Sequence, residues 1–455
     1  MRGADTLGCL KSTRVAALMR IPAVDNARLR GLTVPALALL FVFVSVAWAS
    51  TESVLFEFNG TDGSGPEGTL VADQAGNFYG TAFNGGNAGC YLGYGCGVVF
   101  ELTPSQGGWT ETVLYAFTGG RDGASPAAGL LLDNNGNLYG TTVVGGNLAL
   151  CNDLGPAPGC GVVFKLTRST SGWTYSAIHR FSGGDGAAPY SNLILDRAGN
   201  LYGTTRYGGS GCDAGCGTVF RLEPTNHGWT EAVLYDFTEG LEGGYPFAGV
   251  IQDNAGNLYG TTSSGGLYSY GVVFKLARLR RGWKETVLHS FPGGSNGGTP
   301  IGGVIADPVG NLYGTATIGG NQVCYHFSCG VVFELTPAKH GHWKPKVIHY
   351  FEGPNGADGS EPYASLTRND KGQLFGTTVA GGSSNNAGTV FEVAMVNGAW
   401  KETVLYIFSG SADGGYLFGG VYLDDLGNVY GTTSSGGNTF CLEGAPCGVV
   451  FEIVP

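Results

Sequence analysis

The chain has 455 residues, a formal net charge of −11, 82 glycines and only 13% charged residues. Aromatics at 12% and hydrophobics at 43% exclude a disordered polymer. The acidic balance opposes nucleic acid and anionic membrane surfaces as partners.

Arg20, Arg28 and Arg30 precede an apolar run from Leu32 that ends in Ala47-Trp48-Ala49. This pattern predicts a secretory signal peptide over residues 1–49, cut before Ser50. The alternative is an anchor helix, but the run contains Pro35 and falls short of the roughly 20 apolar residues a span needs. Residues 1–49 hold six of the basic and two of the acidic residues, which leaves 18 against 33, a net −15. The expected product is secreted, extracellular or on the cell surface, without membrane insertion after cleavage.

The first segment after this leader, "TESVLFEF" (Thr51 to Phe58), reads as a strand. A unit then begins that recurs seven times. Its "YGT" aromatic falls at Tyr79, Tyr139, Tyr202, Tyr259, Tyr313, Phe375 and Tyr430. A Gly-Gly pair follows each aromatic. A "GVVF" or "GTVF" comes next, and in six units a Trp and a "TVLYxF"-like run. Each unit contains four strand-type runs, in the second unit "GLLLD", "NLYGTT", "GVVFKLT" and "WTYSAIHRF". Nothing shows a 3.6-residue apolar period. Four antiparallel strands in each of seven units predict an all-β, seven-bladed β-propeller. The approximate blades are 59–117, 118–181, 182–237, 238–291, 292–351, 352–408 and 409–455. The N-terminal strand over residues 50–58 supplies the missing outer strand of the last blade, because the chain closes on a third strand, "GVVFEIVP". A linear solenoid is the alternative, and it would need capping units.

"GNLYGTT", the Gly pair, "GVVFxL" and the Trp together resemble the GloVer tandem repeat of bacterial exported proteins, over essentially all of residues 51–455. The strand pattern is also similar to the NHL propeller repeat. The resemblance implies export and a repeat domain, and it brings no catalytic residues.

Beyond Cys9 in the leader, ten cysteines form five pairs: Cys90 and Cys96, Cys151 and Cys160, Cys212 and Cys216, Cys324 and Cys329, Cys441 and Cys447. Each pair lies between the Gly pair and the "GVVF" of one unit, and units four and six lack both members. Presence and absence in pairs predicts local disulfides, as an exported chain permits. Metal binding is the alternative, but only His326 lies inside a pair.

Loops between second and third strands vary most, from 4 to 14 residues between the Gly pair and the "GVVF" Gly. Variable loops on a rigid ring are where binding commonly resides. They carry Tyr91, Tyr94, Tyr268, Tyr270, Tyr325, Phe327 and Phe440, able to stack on sugars or fill peptide pockets, or simply to pack their own loops. The "DGxxP" loops bring Asp62, Asp122, Asp185, Glu242, Asp358 and Asp413, with Asn296 in the fifth unit. These could form an acidic mouth holding a structural cation, or serve only as turn residues. No other cofactor is expected. Asp73, Asp133, Asp196, Asp253, Asp307 and Asp424 precede x-x-Gly-Asn and read as hairpin-turn residues. His179, His289 and His349 replace a repeated Tyr in the outer strand, so a histidine-based triad or metal site has poor raw material. The leading expectation is a secreted binding or scaffold module for extracellular carbohydrate or protein. The alternatives are an exported hydrolase or lyase acting on polysaccharide or lactone at the loop face, and a purely structural surface or matrix component.

Overall fold

The computed structural model describes residues 50–455 except 88, 91, 92, 152–157, 213, 214, 321–328, 354, 355, 439, 440 and 442–446. Twenty-eight strands form seven four-stranded antiparallel sheets, and in six of them the strands follow chain order. In the first blade these are Val71–Ala72, Phe78–Ala82, Val98–Ser105 and Gly108–Ala116. The seventh sheet takes its outer strand from Thr51–Glu57, which pairs with Val449–Val454 from Thr51↔Val454 to Glu57↔Val449. The ring therefore closes as the two orphan strands predict. Among the described residues, no helix is long and apolar enough to cross a membrane.

The sequence explains each strand's burial. All five residues of every second strand are buried, because blades pack on both faces of each sheet. The glycine in "YGT" is paired with the Phe of "GVVF", as in Gly140↔Phe164. A Cβ on Gly140 would run into the Phe164 ring and Leu130 of its own blade. This glycine lets the Phe ring lie flat across its own sheet. That ring then meets the last Phe of the preceding blade's outer strand. Seven such edge-to-face pairs, Phe58–Phe100 through Phe408–Phe451, have centroids 5.0–5.2 Å apart. Pairs of this kind contribute about 0.5–1.5 kcal/mol each beyond area burial.

Two more sevenfold rings join the blades. The Thr of each "YGT" donates its hydroxyl to a carbonyl beside the next blade's innermost strand, from Thr81 to Ala128 round to Thr432 to Gly68, at 2.8–3.3 Å. The sequence shows this Thr in every unit without giving its partner. Each innermost strand has only two paired residues, shorter than the predicted run such as "GLLLD". On the loop face, Gly65, Ser125, Ala188, Tyr245, Thr299, Glu361 and Tyr416 donate a backbone N–H to the preceding blade at 2.7–3.0 Å. All seven hold φ between +51° and +61°. Non-glycine residues resist that conformation. Its recurrence in every blade makes it a property of the joint.

Candidate functional site

The loop face is assembled by backbone bridges between each "DGxxP" loop and the segment after the second strand, such as Ala124↔Val144 and Gly415↔Ser435. Among the described residues four disulfides form here: Cys90–Cys96, Cys151–Cys160, Cys212–Cys216 and Cys441–Cys447, with Cα atoms 5.2–5.8 Å apart. The Cys324–Cys329 expectation falls partly outside the described residues, because Cys324 is among those left out. A Cβ on Gly119 would strike both sulfurs of Cys90 and Cys96, and one on Gly60 would meet Cys441 Sγ. The bridge therefore braces the loop that leads to the next blade. Units four and six fill the same place with the Tyr270 ring against Gly293 and the Ala387 methyl against Gly410.

The aromatic loop residues are distributed as follows. Tyr94, Tyr268 and Tyr270 are exposed, and Tyr270 is also the structural filler just described. Tyr91, Tyr325, Phe327 and Phe440 lie outside the described residues. The acids of the "DGxxP" loops are engaged locally. Asp122 accepts the Thr118 N–H at 2.8 Å and the Tyr115 hydroxyl at 3.0 Å. Asp185 and Asp358 pair with His179 and His349 at 3.0 and 3.1 Å. Asp62, Glu242 and Asp413 accept the N–H of Asn59, Thr238 and Ser409. None of the six lines the axial channel. Among the described residues, no group of three or more His, Cys, Asp or Glu side chains could hold a metal.

These acids do have a second neighbour. Glu52, Glu111, Glu231, Glu285 and Glu402 occupy one repeat position on the outer strand, and each keeps a buried carboxylate oxygen without a partner. Burial raises every one of them to about 7, and the adjacent loop acid adds to the rise: Asp413, Asp62, Asp185, Glu242 and Asp358 in turn. At the joint between blades four and five the pair is replaced by Pro345 and Asn296, and a cavity of about 190 Å³ opens beside His289. Burial holds that imidazole down at about 4.

The hairpin Asp residues behave as the sequence predicts. Asp133 Oδ1 accepts the N–H of Asn135 and Asn137 at 2.9 and 2.8 Å, while Oδ2 accepts from Asn137 Nδ2 and the Tyr139 hydroxyl. Although burial pushes the other way, these donors together hold the Asp133 carboxyl below its ordinary value.

The asymmetric feature lies on the axis. A cavity of about 260 Å³ is walled by the residues that lead into the innermost strands. The position after each pre-strand Pro, or after Leu417 in the seventh blade, holds Glu67, Ala127, Tyr190, Phe247, Ile301, Tyr363 and Phe418. Tyr190 and Phe247 have ring centroids 5.0 Å apart, and Tyr363 and Phe418 5.5 Å apart. Burial raises the Glu67 carboxyl to about 7. The Tyr190 hydroxyl, raised by burial, feels Arg206 and Glu67 in opposite senses, so both charges sit close to it. Two positions further along, the hydroxyls of Thr69 and Ser365 accept the N–H of Gly420 and Gly303. Asn192 at the same position is exposed to the channel. The run "GLLLD" starts at Gly129, two residues after Ala127, so the strand pattern leaves this ring outside it. The signal was the variable residue after the Pro in an otherwise repetitive unit.

Seven closed blades around a channel with an asymmetric mouth define a β-propeller carrying a small axial cleft. The chain belongs to the Gloeobacter/Verrucomicrobia repeat family, whose model matches residues 42–156 and 145–357. No curated protein matches it in sequence. Among solved structures, it is similar to a fungal alcohol oxidase of the AA5 family at 12% identity and a TM-score of 0.51, covering 90% of this chain and 77% of that one. A protein from Lactobacillus plantarum matches at 14% identity and 0.46, covering 78% and 95%. A gluconolactonase from Xanthomonas campestris matches at 14% and 0.39, covering 72% and 86%. The likeness to the oxidase shows the fold alone, and the other two superpose too loosely to carry an argument.

Proposed function

We propose that this propeller is a binding module that acts outside the cytoplasm and holds a carbohydrate at its channel mouth. The observation that supports this is the ring after the Pro: one acid and four aromatic side chains at a position where symmetry imposes nothing. Aromatic faces suit the apolar face of a sugar ring, and Glu67 and Asn192 supply hydrogen-bonding groups for hydroxyls. The cavity lies just below the usual ligand-pocket range of about 300–1,000 Å³, which favours a short ligand or a chain end. Four disulfides fit an oxidising compartment. Isothermal titration of the purified protein against short oligosaccharides tests the reading. Binding that Phe247→Ala and Phe418→Ala abolish supports it, and binding indifferent to both overturns it.

One observation favours a second reading, hydrolase or lyase action. Glu67, held at about 7, is in the range of a general acid or base at neutral pH. Turnover of a bound sugar that Glu67→Gln eliminates would establish it.

A further inference from the structure

Arg206 breaks the repeat. The equivalent residue in the other blades is Phe83, Val143, Ser263, Thr317, Val379 or Ser434. Its guanidinium lies 4.1 Å from the ring centroid of Phe247, 4.8 Å from that of Tyr207 and 5.7 Å from that of Tyr190. Phe247 and Tyr190 are themselves channel walls. Among the described residues no carboxylate comes within ion-pair distance of Arg206; its side chain bonds the Tyr190 hydroxyl, and its Nε is buried with no hydrogen-bond partner. Its charge also reaches Tyr363, another wall residue. A guanidinium packed against aromatic rings retains the in-plane donors that match a carboxylate. With no carboxylate beside it, the charge of this half-buried guanidinium at the edge of the channel is left for an anion to neutralise.

We infer that the ligand of this channel is a carboxylated sugar, a free hexuronate or the hexuronate end of an acidic glycan, with its carboxylate paired to Arg206. This rests on the binding reading above. The sugar ring lies against Tyr190 and Phe247, and its hydroxyls face Glu67 and Asn192. An aromatic acid would satisfy Arg206 and leave those two polar groups unused. The net charge of −11 opposes the approach of a long polyanion, and the cavity of about 260 Å³ favours a single ring.

The test is isothermal titration of the full purified protein with galacturonate, glucuronate and digalacturonate, with galactose, glucose and benzoate as comparators. Uronates are expected to bind at least tenfold more tightly than the neutral sugars and than benzoate. Tighter binding of digalacturonate than of galacturonate assigns the chain end; equal binding assigns the free sugar. Arg206→Gln is expected to bring uronate affinity down to that of the neutral sugar, whereas Arg206→Lys retains part of the preference. Near-ultraviolet circular dichroism checks that both variants are folded. Equal affinity for galactose and galacturonate, or a folded Arg206→Gln with unchanged preference, overturns the inference while leaving a sugar-binding channel standing. Benzoate binding as tightly as galacturonate overturns the sugar half. If no sugar binds at millimolar concentration, the channel reading fails and this inference fails with it.

Discussion

Two rings of residues circle the channel as immediate neighbours in the chain, and they follow opposite rules. Gly68, Ala128, Ser191, Ala248, Gly302, Ala364 and Gly419 each accept a Thr hydroxyl from the preceding blade. All seven are small. A Cβ on Gly419, for example, would press on the backbone carbonyl of Glu67. One residue earlier stand Glu67, Ala127, Tyr190, Phe247, Ile301, Tyr363 and Phe418, with no size or polarity in common. The contact between blades dictates the first ring completely. The second lines the lumen, where its side chains meet in pairs, Tyr190 with Phe247 and Tyr363 with Phe418, without a pattern shared by all blades. In a symmetric scaffold, function is written at the first position the packing releases.

Substitutions should separate the two rings. Among scaffold elements the largest effect is expected from removing a brace on the loop face. Cys151→Ser with Cys160→Ser should cost about 2–3 kcal/mol by the chain-entropy estimate, read as a lower denaturant midpoint with channel affinity unchanged. Thr204→Val should cost about 1–3 kcal/mol, because it leaves the Ala248 carbonyl without its donor. A similar loss at Thr81 and Thr432 would confirm that the ring is uniform. Thr299 carries a β-branched side chain at φ +52°. Thr299→Gly should therefore stabilise by about 1 kcal/mol in thermal unfolding, the relief of left-handed strain less the entropy glycine adds to the unfolded chain. Phe247→Ala should change stability by less than about 1 kcal/mol, since the side chain is only half-buried, while removing sugar binding. A large loss of stability there would erase the distinction between the rings.

The pH profile compares two further sets of acids. Glu52, Glu111, Glu231, Glu285, Glu402 and Glu67 all titrate near 7 in the folded protein, against 4.5 ordinarily. A raised folded value means the proton favours the native state. Their contribution is complete below about 4.5 and is lost as pH rises through about 7. Asp73, Asp133, Asp196 and Asp253 are lowered by their turn donors, so theirs is lost as pH falls below about 3.9. The melting temperature should peak in mildly acid solution and fall by a few degrees toward pH 8. Glu111→Gln and Glu285→Gln should each flatten that fall, and a profile unchanged by both would contradict the buried placement of these carboxyls.

Much of the fold was legible because a repeat states its own constraints seven times. The Asp of "DxxGN" could be read as a turn residue from its spacing, and Asp133 caps its turn as that spacing implies. The cysteine pairs could be read from their joint presence. What the spacing hid was each residue's partner in the next blade, about 50 residues away in sequence. Tyr270 illustrates the difference. Its exposed ring reads as a ligand platform in a variable loop, yet it fills the place that a disulfide takes elsewhere. Arg206 was visible in the sequence as one departure among several, with nothing there to set it apart from Phe83.

By itself, then, the sequence determined the blade, the number of blades and the closure of the ring, because local strand patterns and two unpaired end strands leave one arrangement. Only the tertiary structure decided which departures from the repeat share a cavity. Tyr190 and Glu67 are more than a hundred residues apart in the chain. Closing the ring places both on the axis with Arg206 beside them, since the lumen is where the seven blades converge.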